Sequence, residues 1–216
     1  HAANPLFSDA DVGKGRWEGE YSNMWASVYW DRGKYRLWYN SYLNCSGVAQ
    51  GCVGVGAKAR ANGLEYAEST TGLRWRFPTQ STTAFNGSTD NNLQMLITTC
   101  GTSVLLDSPD ARCALPDGSG RAIPCPYKLV GDLASSAAFA VSADGRTWSH
   151  LSGNSSKQQK KPTPIFVHGT HNNVAWAATK QRWIAYVRHA NTPVRLEGAV
   201  ESSGPNFLGG TGGKGW

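Results

Sequence analysis

Three times along this chain an aromatic, β-branched hairpin is followed by one further strand, and that recurrence limits the fold more than any bulk property. "WASVYWDRGKYRLWYNSY" (25–42) reads as two strands joined at Asp31-Arg32-Gly33-Lys34, where Gly supplies the positive φ of a tight hairpin turn. "NVAWAATKQRWIAYVRHA" (173–190) has the same shape, with its turn near Thr179 and Lys180. A third version covers 93–133, opening with "LQMLI" and swollen at its turn by the stretch between Cys113 and Cys125. The strands that follow are predicted in 64–78, 137–151 and 195–207. The first two of these share a core, Ala-x-Ser-x-x-Gly-x-x-Trp and Val-Ser-x-Asp-Gly-x-x-Trp, closed by Trp75 and Trp148. A strand, a Gly turn and a returning aromatic at the same place in each unit is the pattern of stacked antiparallel blades.

In such a fold the first strand of each hairpin is innermost and its opening end faces a funnel. Three polar clusters stand at those openings: Glu18, Glu20 and Asn23; Asp90, Asn91 and Asn92; and His171, Asn172 and Asn173. Amide, carbonyl and carboxylate groups converging in a concave, aromatic-lined site suit a polyhydroxylated ligand, whose hydroxyls each need donors and acceptors. Taken singly, each Asn is better read as a turn cap that satisfies backbone groups, and it is the recurrence before three inner strands that favours the site. Trp25 and Trp176, close behind the clusters, divide between blade packing and a sugar-stacking platform.

Composition supports many short strands and turns: 25 Gly, 10 Pro, 9 Trp and 8 Tyr with 17% charged residues in 216. No run of about 18 apolar residues is present, so no membrane span is expected. The net charge of +6 permits anionic partners, but only "KQQKK" (157–161) concentrates it, and no nucleic-acid motif accompanies it. Cys45, Cys52, Cys100, Cys113 and Cys125 lack paired zinc spacing. Disulfides are the expected use, with Cys45 and Cys52 flanking one loop, Cys113 and Cys125 flanking another, and Cys100 left over. "GCVGVGAKA" and "GGTGGKGW" read as plain Gly-rich loops, so neither a metal nor a nucleotide cofactor is expected.

The combination "GSTDNNLQM", "YKLVGDL…AFAVSADGRTWSHL", "THNNVAW…RWIAYVRHA" and "RLEGAVESS" resembles the five-bladed β-propeller glycoside hydrolases, the group that holds invertases, arabinanases and β-xylosidases. The resemblance implies an all-β fold with about three antiparallel blades visible, a partial propeller over 1–207 and a Gly-rich tail at 208–216. A five-bladed ring needs roughly 300 residues at this repeat length, so further blades on a missing segment are a possible partner. It also implies an extracellular protein that hydrolyses an oligo- or polysaccharide through funnel carboxylates: a general acid, a nucleophile or base, and a third acid that tunes them. Asp90, Glu20 and Glu201 are the catalytic candidates. Glu18, Asn23, Trp25, Asn91, Asn92, His171, Asn172, Asn173, Trp176, Arg195 and Glu197 are the candidates for holding substrate. Where relatives carry an acid two residues before the His-Asn pair this chain has Gly169, which favours the alternative of a glycan-binding propeller without turnover; a structural blade assembly is the third reading.

Overall fold

A computed structural model describes residues 24–44, 60–97, 102–114, 121–133, 136–150, 173–188 and 197–201. Those residues are all-β, in antiparallel sheets, and the chain divides into two units, 1–100 and 101–216. The first unit holds one sheet of β1 (Met24–Asp31), β2 (Lys34–Asn44), β3 (Arg60–Ser69) and β4 (Leu93–Ile97), in that order. Arg32 and Gly33 both have positive φ, 50° and 79°, the type I′ geometry whose twist matches the flanking strands. Strand alternation then sorts the side chains. One face carries Asp31, Arg36, Trp38, Tyr66 and Glu68, and the other Val28, Trp30, Tyr35, Leu37, Tyr39, Glu65 and Ala67. Leu37, Tyr39 and Ala67 form an apolar core with Trp75 and Phe77.

The second unit contains two larger sheets and a small hairpin. β5 (Ser103–Leu106), β8 (Tyr127–Leu133), β9 (Ser136–Ser142) and β10 (Ser149–His150) make one sheet, and β11 (Asn173–Ala177), β12 (Arg182–Arg188) and β13 (Glu197–Glu201) make the other. Between β5 and β8, β6 (Arg112–Ala114) pairs with β7 (Ala122–Pro124), and the Cys113–Cys125 disulfide staples that insertion. The two larger sheets pack face to face, Leu105, Val130, Phe139 and Val141 against Val174, Trp183 and Ala185. Cys125 is fully buried in the same core, which anchors the insertion to it.

The Ser-Gly-Trp repeat is one structure built twice. Ser69 Oγ accepts from the amides of Thr71 and Gly72, and Ser142 Oγ from those of Asp144 and Gly145. Two residues on, Thr71 Oγ1 and Asp144 Oδ1 each accept two further amides, from Leu73 and Arg74 and from Arg146 and Thr147. Gly72 and Gly145 sit at φ 75° and 72°, where an L side chain is strained. The register follows the turn. Tyr35 pairs with Ser69 and Tyr127 with Ser142, while the returning residue after each Trp pairs with the residue before each Ser: Arg76 with Glu68, Ser149 with Val141. The ion pair Arg36–Asp31 (3.1 Å) on one sheet corresponds to Lys128–Asp107 on the other.

One expectation is corrected. Leu93–Ile97 does not open the next module; it pairs with β3 and ends the first sheet at the edge opposite β1. Arg76 pairs with β3 just before it, so the outer strand consists of two pieces interrupted by residues 77–92. β5 takes the place expected for Leu93–Ile97 and pairs with β8.

A Cβ at Gly63 would overlap Leu93 Cδ2, where β3 lets β4 approach. Gly63→Ala is expected to lower the free energy of unfolding by about 1–3 kcal/mol through overpacking, and Gly145→Ala by about 1–2 kcal/mol through its left-handed φ. Urea denaturation of both variants checks this; an unchanged midpoint for either contradicts the packing or the turn argument respectively.

Candidate functional site

In the first unit the structure brings Asp90, Asn91 and Asn92 together at the start of β4, on the sheet edge away from β1. Asp90 is exposed, with Oδ1 accepting from Thr79 Oγ1 at 2.8 Å and its amide donating to Ser88 Oγ. Asn91 is buried and closes the loop: Nδ2 donates to Thr83 O and Ser88 O, and Oδ1 accepts from Leu93 N. Asn92, also buried, donates to Tyr39 Oη at 2.8 Å and to Tyr66 O at 3.0 Å. Tyr39 Oη in turn donates to Glu65 Oε2 at 2.7 Å, and Ser41 Oγ donates to Glu65 Oε1. Glu65 is fully buried, and hydrogen bonds to both of its oxygens offset the desolvation of a charge.

The opposite face of the same sheet carries a second polar network that the sequence did not single out. Arg36, buried, donates to Tyr66 Oη at 2.9 Å and pairs with Asp31, while its guanidinium lies 5.0 Å from the Trp38 ring and 5.2 Å from the Tyr66 ring. Glu68 accepts from Lys34, from Arg76 and from Tyr66 Oη. Burial pushes the Tyr66 hydroxyl above its usual pKa, so it stays a neutral donor in this charged setting. Charges on a strand interior give no signal of burial in a sequence, since strand alternation alone reads them as the wet side.

In the second unit the third sheet carries Asn173, Trp176, Glu197 and Glu201. Asn173 pairs with Tyr186 across the opening end of β11, and both side chains are exposed. The next residue pair toward that end is Arg188 and Glu197, on the same face by register. Trp176 lies three residues from Asn173 and therefore on the other face, where its ring sits 5.4 Å from Trp183. The two are not brought together. Glu201, on the face of Asn173, bonds Lys180 and lies 3.4 Å from Arg182. The Lys180 hydrogen bond holds its carboxyl below the ordinary carboxylate range. Counting from the hairpin turns, Arg182 and Glu201 occupy the register positions of Lys34 and Glu68, so this acid repeats an ion pair of the first sheet.

Glu18, Glu20, Asn23, His171, Asn172, Arg195 and Gly169 lie outside the described residues, as do Cys45, Cys52 and Cys100. Trp25, Arg188 and Glu197 are placed by backbone alone. Among the described residues no group of three His, Cys, Asp or Glu side chains could hold a metal ion, and no helix is long and apolar enough to cross a membrane.

No family model matches the chain, and no curated protein matches it. Among solved structures the chain is similar, at 12% identity and a TM-score of 0.36, to one described as "The GH130 family of mannoside phosphorylases contains glycoside hydrolases that target beta-1,2 mannosidic linkages in Candida mannan"; the match covers 88% of this chain and 68% of that one.

Two measurements separate architecture from surface chemistry. Asn92→Ala removes a buried donor from the Tyr39–Glu65 network and is expected to cost about 1–3 kcal/mol of stability, whereas Asn173→Ala loses only the bond that its Oδ1 accepts from the Val174 amide at 2.8 Å and is expected to cost about 0.5–1.5 kcal/mol. Glu201 stabilises the fold at pH above the unfolded carboxylate pKa, and that contribution is lost as pH falls through its lowered folded value. Lys180→Met is therefore expected to move the Glu201 titration upward in an NMR experiment; an unmoved titration would contradict the assigned cause.

Proposed function

We propose that this chain binds carbohydrate at the opening end of its third sheet, in the manner of a secreted glycan-binding blade protein. The observation that supports this best is the exposed side-chain amide of Asn173 directly opposite the exposed ring of Tyr186. A side-chain amide beside an exposed aromatic ring supplies the donor and the stacking face that a sugar needs. The resemblance of the surrounding motifs to propeller glycoside hydrolases points to the same ligand class. The Cys113–Cys125 disulfide is compatible with an oxidising compartment.

Hydrolysis is the second reading, favoured by Glu201. An ionised carboxylate is what a glycosidase nucleophile or base requires, and Lys180 keeps Glu201 in that form. Its partner acid would come from outside β13. Glu197, four residues away on the same strand face, is about 13 Å distant by strand rise, beyond the roughly 5–9.5 Å of a catalytic pair.

A glycan array followed by calorimetric titration tests binding, and a reducing-sugar assay on the same ligands tests turnover. Asn173→Ala is expected to weaken binding by about tenfold, the worth of one or two good hydrogen bonds. Sugar release that is lost in Glu201→Gln supports hydrolysis, and binding with no release supports the glycan-binding protein. If no glycan binds, the carbohydrate reading fails in both forms.

A further inference from the structure

The chain carries Asn-x-Ser sequons at Asn44, Asn86 and Asn154, the acceptor pattern for N-linked glycosylation. Asn44 ends β2, where the ladder pairs it with Arg60, and Asn154 lies outside the described residues. Asn86 stands at the tip of the excursion between the two pieces of the first sheet's outer strand. Phe85 and Ser88 exchange both backbone hydrogen bonds, at 2.9 and 3.1 Å, and between them Asn86 and Gly87 have φ of 52° and 75°. That is a second type I′ turn. Phe85 is buried and pins its base, whereas Asn86, Gly87 and Ser88 are all exposed. A Cβ built on Gly87 would meet no heavy atom within 4 Å, so the space beside the tip is open.

The turn by itself accounts for part of this sequence. Position 86 needs a residue that tolerates positive φ, and the Ser88 hydroxyl accepts the Asp90 amide at 3.0 Å. Asp would serve the turn at 86 as well as Asn does, so the backbone leaves the side-chain nitrogen unexplained. Asn91, Asn92 and Asn173 each use their side chain in a hydrogen bond within the protein. That of Asn86 bonds to no described residue. We propose that Asn86 is an N-glycosylation acceptor, its free amide nitrogen presented at an exposed turn with the Ser88 hydroxyl two residues on. In the transfer, Asn86 Nδ2 displaces pyrophosphate from the anomeric carbon of a lipid-linked oligosaccharide. The C–N bond forms as the C–O bond to pyrophosphate breaks, one amide proton passes to a base, and the lipid pyrophosphate leaves with the bonding pair. A hydrated glycan here stands beyond β3 at the edge of the sheet, the kind of edge that proteins protect from pairing with other chains. An acceptor role at Asn86 rests on the secreted half of the reading above and not on the ligand of the third sheet, so a chain that binds no glycan leaves it intact.

Cell-free translation of the full chain behind a cleavable secretory leader, in the presence of endoplasmic-reticulum microsomes, supplies the donor and the transferase. The chain protected from added protease is the one to assay. Its tryptic fragment 77–112 contains no sequon but that of Asn86, and is expected to carry an N-linked glycan when read as an intact glycopeptide by mass spectrometry. Reading it intact avoids the aspartate that spontaneous deamidation at Asn-Gly also leaves. Asn86→Asp keeps a turn-compatible residue and is expected to lose one step of electrophoretic mobility. Ser88→Ala keeps the amide but removes the hydroxyl and is expected to lose the same step, whereas Ser88→Thr retains it. An unmodified fragment 77–112 from the protected wild-type chain overturns the proposal. So does a mobility step that survives Asn86→Asp, or a glycan on that fragment that survives Ser88→Ala.

Discussion

Everything else in the two larger Ser-Gly-Trp modules depends on a serine hydroxyl that accepts two backbone amides at a turn. Ser69 and Ser142 do this with the same partners in the same order, and each holds a glycine at positive φ directly behind it. Once the turn is closed, Tyr35 and Tyr127 have one partner each across the ladder, and every residue up the strands is assigned a face. A slip of one residue would send Leu37 and Ala67 to the side of Arg36 and Glu68. The turn is local, but its consequence is the side-chain sorting of a whole sheet.

That sorting produces a sheet with a polar network on each face, each built around a buried carboxylate, Glu68 on one side and Glu65 on the other. Arg36, Asp31, Lys34, Glu68 and Arg76 pair with one another around Tyr66 on one side, and Glu65 is held by Tyr39 and Ser41 on the other. Such networks contribute little net stability compared with apolar packing, but losing a single partner is expensive. Their effect is to fix one arrangement: Asn92 reaches Tyr39 only when β4 lies beside β3 in the observed register.

The hairpins and the Ser-Gly-Trp turns were legible in the sequence because their signals are local: alternation, a Gly after a polar turn residue, a Trp three positions on. The pairing of Leu93–Ile97 was not. "LQMLI" satisfies strand preference beside any neighbour, and what decides its partner is an open edge on β3 that Arg76 has only partly filled. Asn91 and Asn92 read as a polar tip for the same reason, since their real partners, Thr83, Ser88 and Tyr39, are distant or hidden in pattern. The separation of Trp176 from Asn173 was available in principle, because an odd spacing on a strand places two side chains on opposite faces. Arg36 and Glu65 carried no such clue; charge on a strand usually means solvent, and only the tertiary partners overturn it.

The interrupted outer strand of the first sheet has a consequence for how this architecture tolerates change. Arg76 and Leu93 are fixed to β3, but the chain between them leaves the ladder and returns to it, tied back by Gln80 N to Asn91 O and by Thr82 to Leu93 O. Its length is therefore decoupled from strand alignment. Foreign peptide segments, affinity tags or reporter domains grafted at the exposed Asn86–Gly87 tip would burden neither the ladder nor either buried network, which makes that tip the natural attachment point on this scaffold.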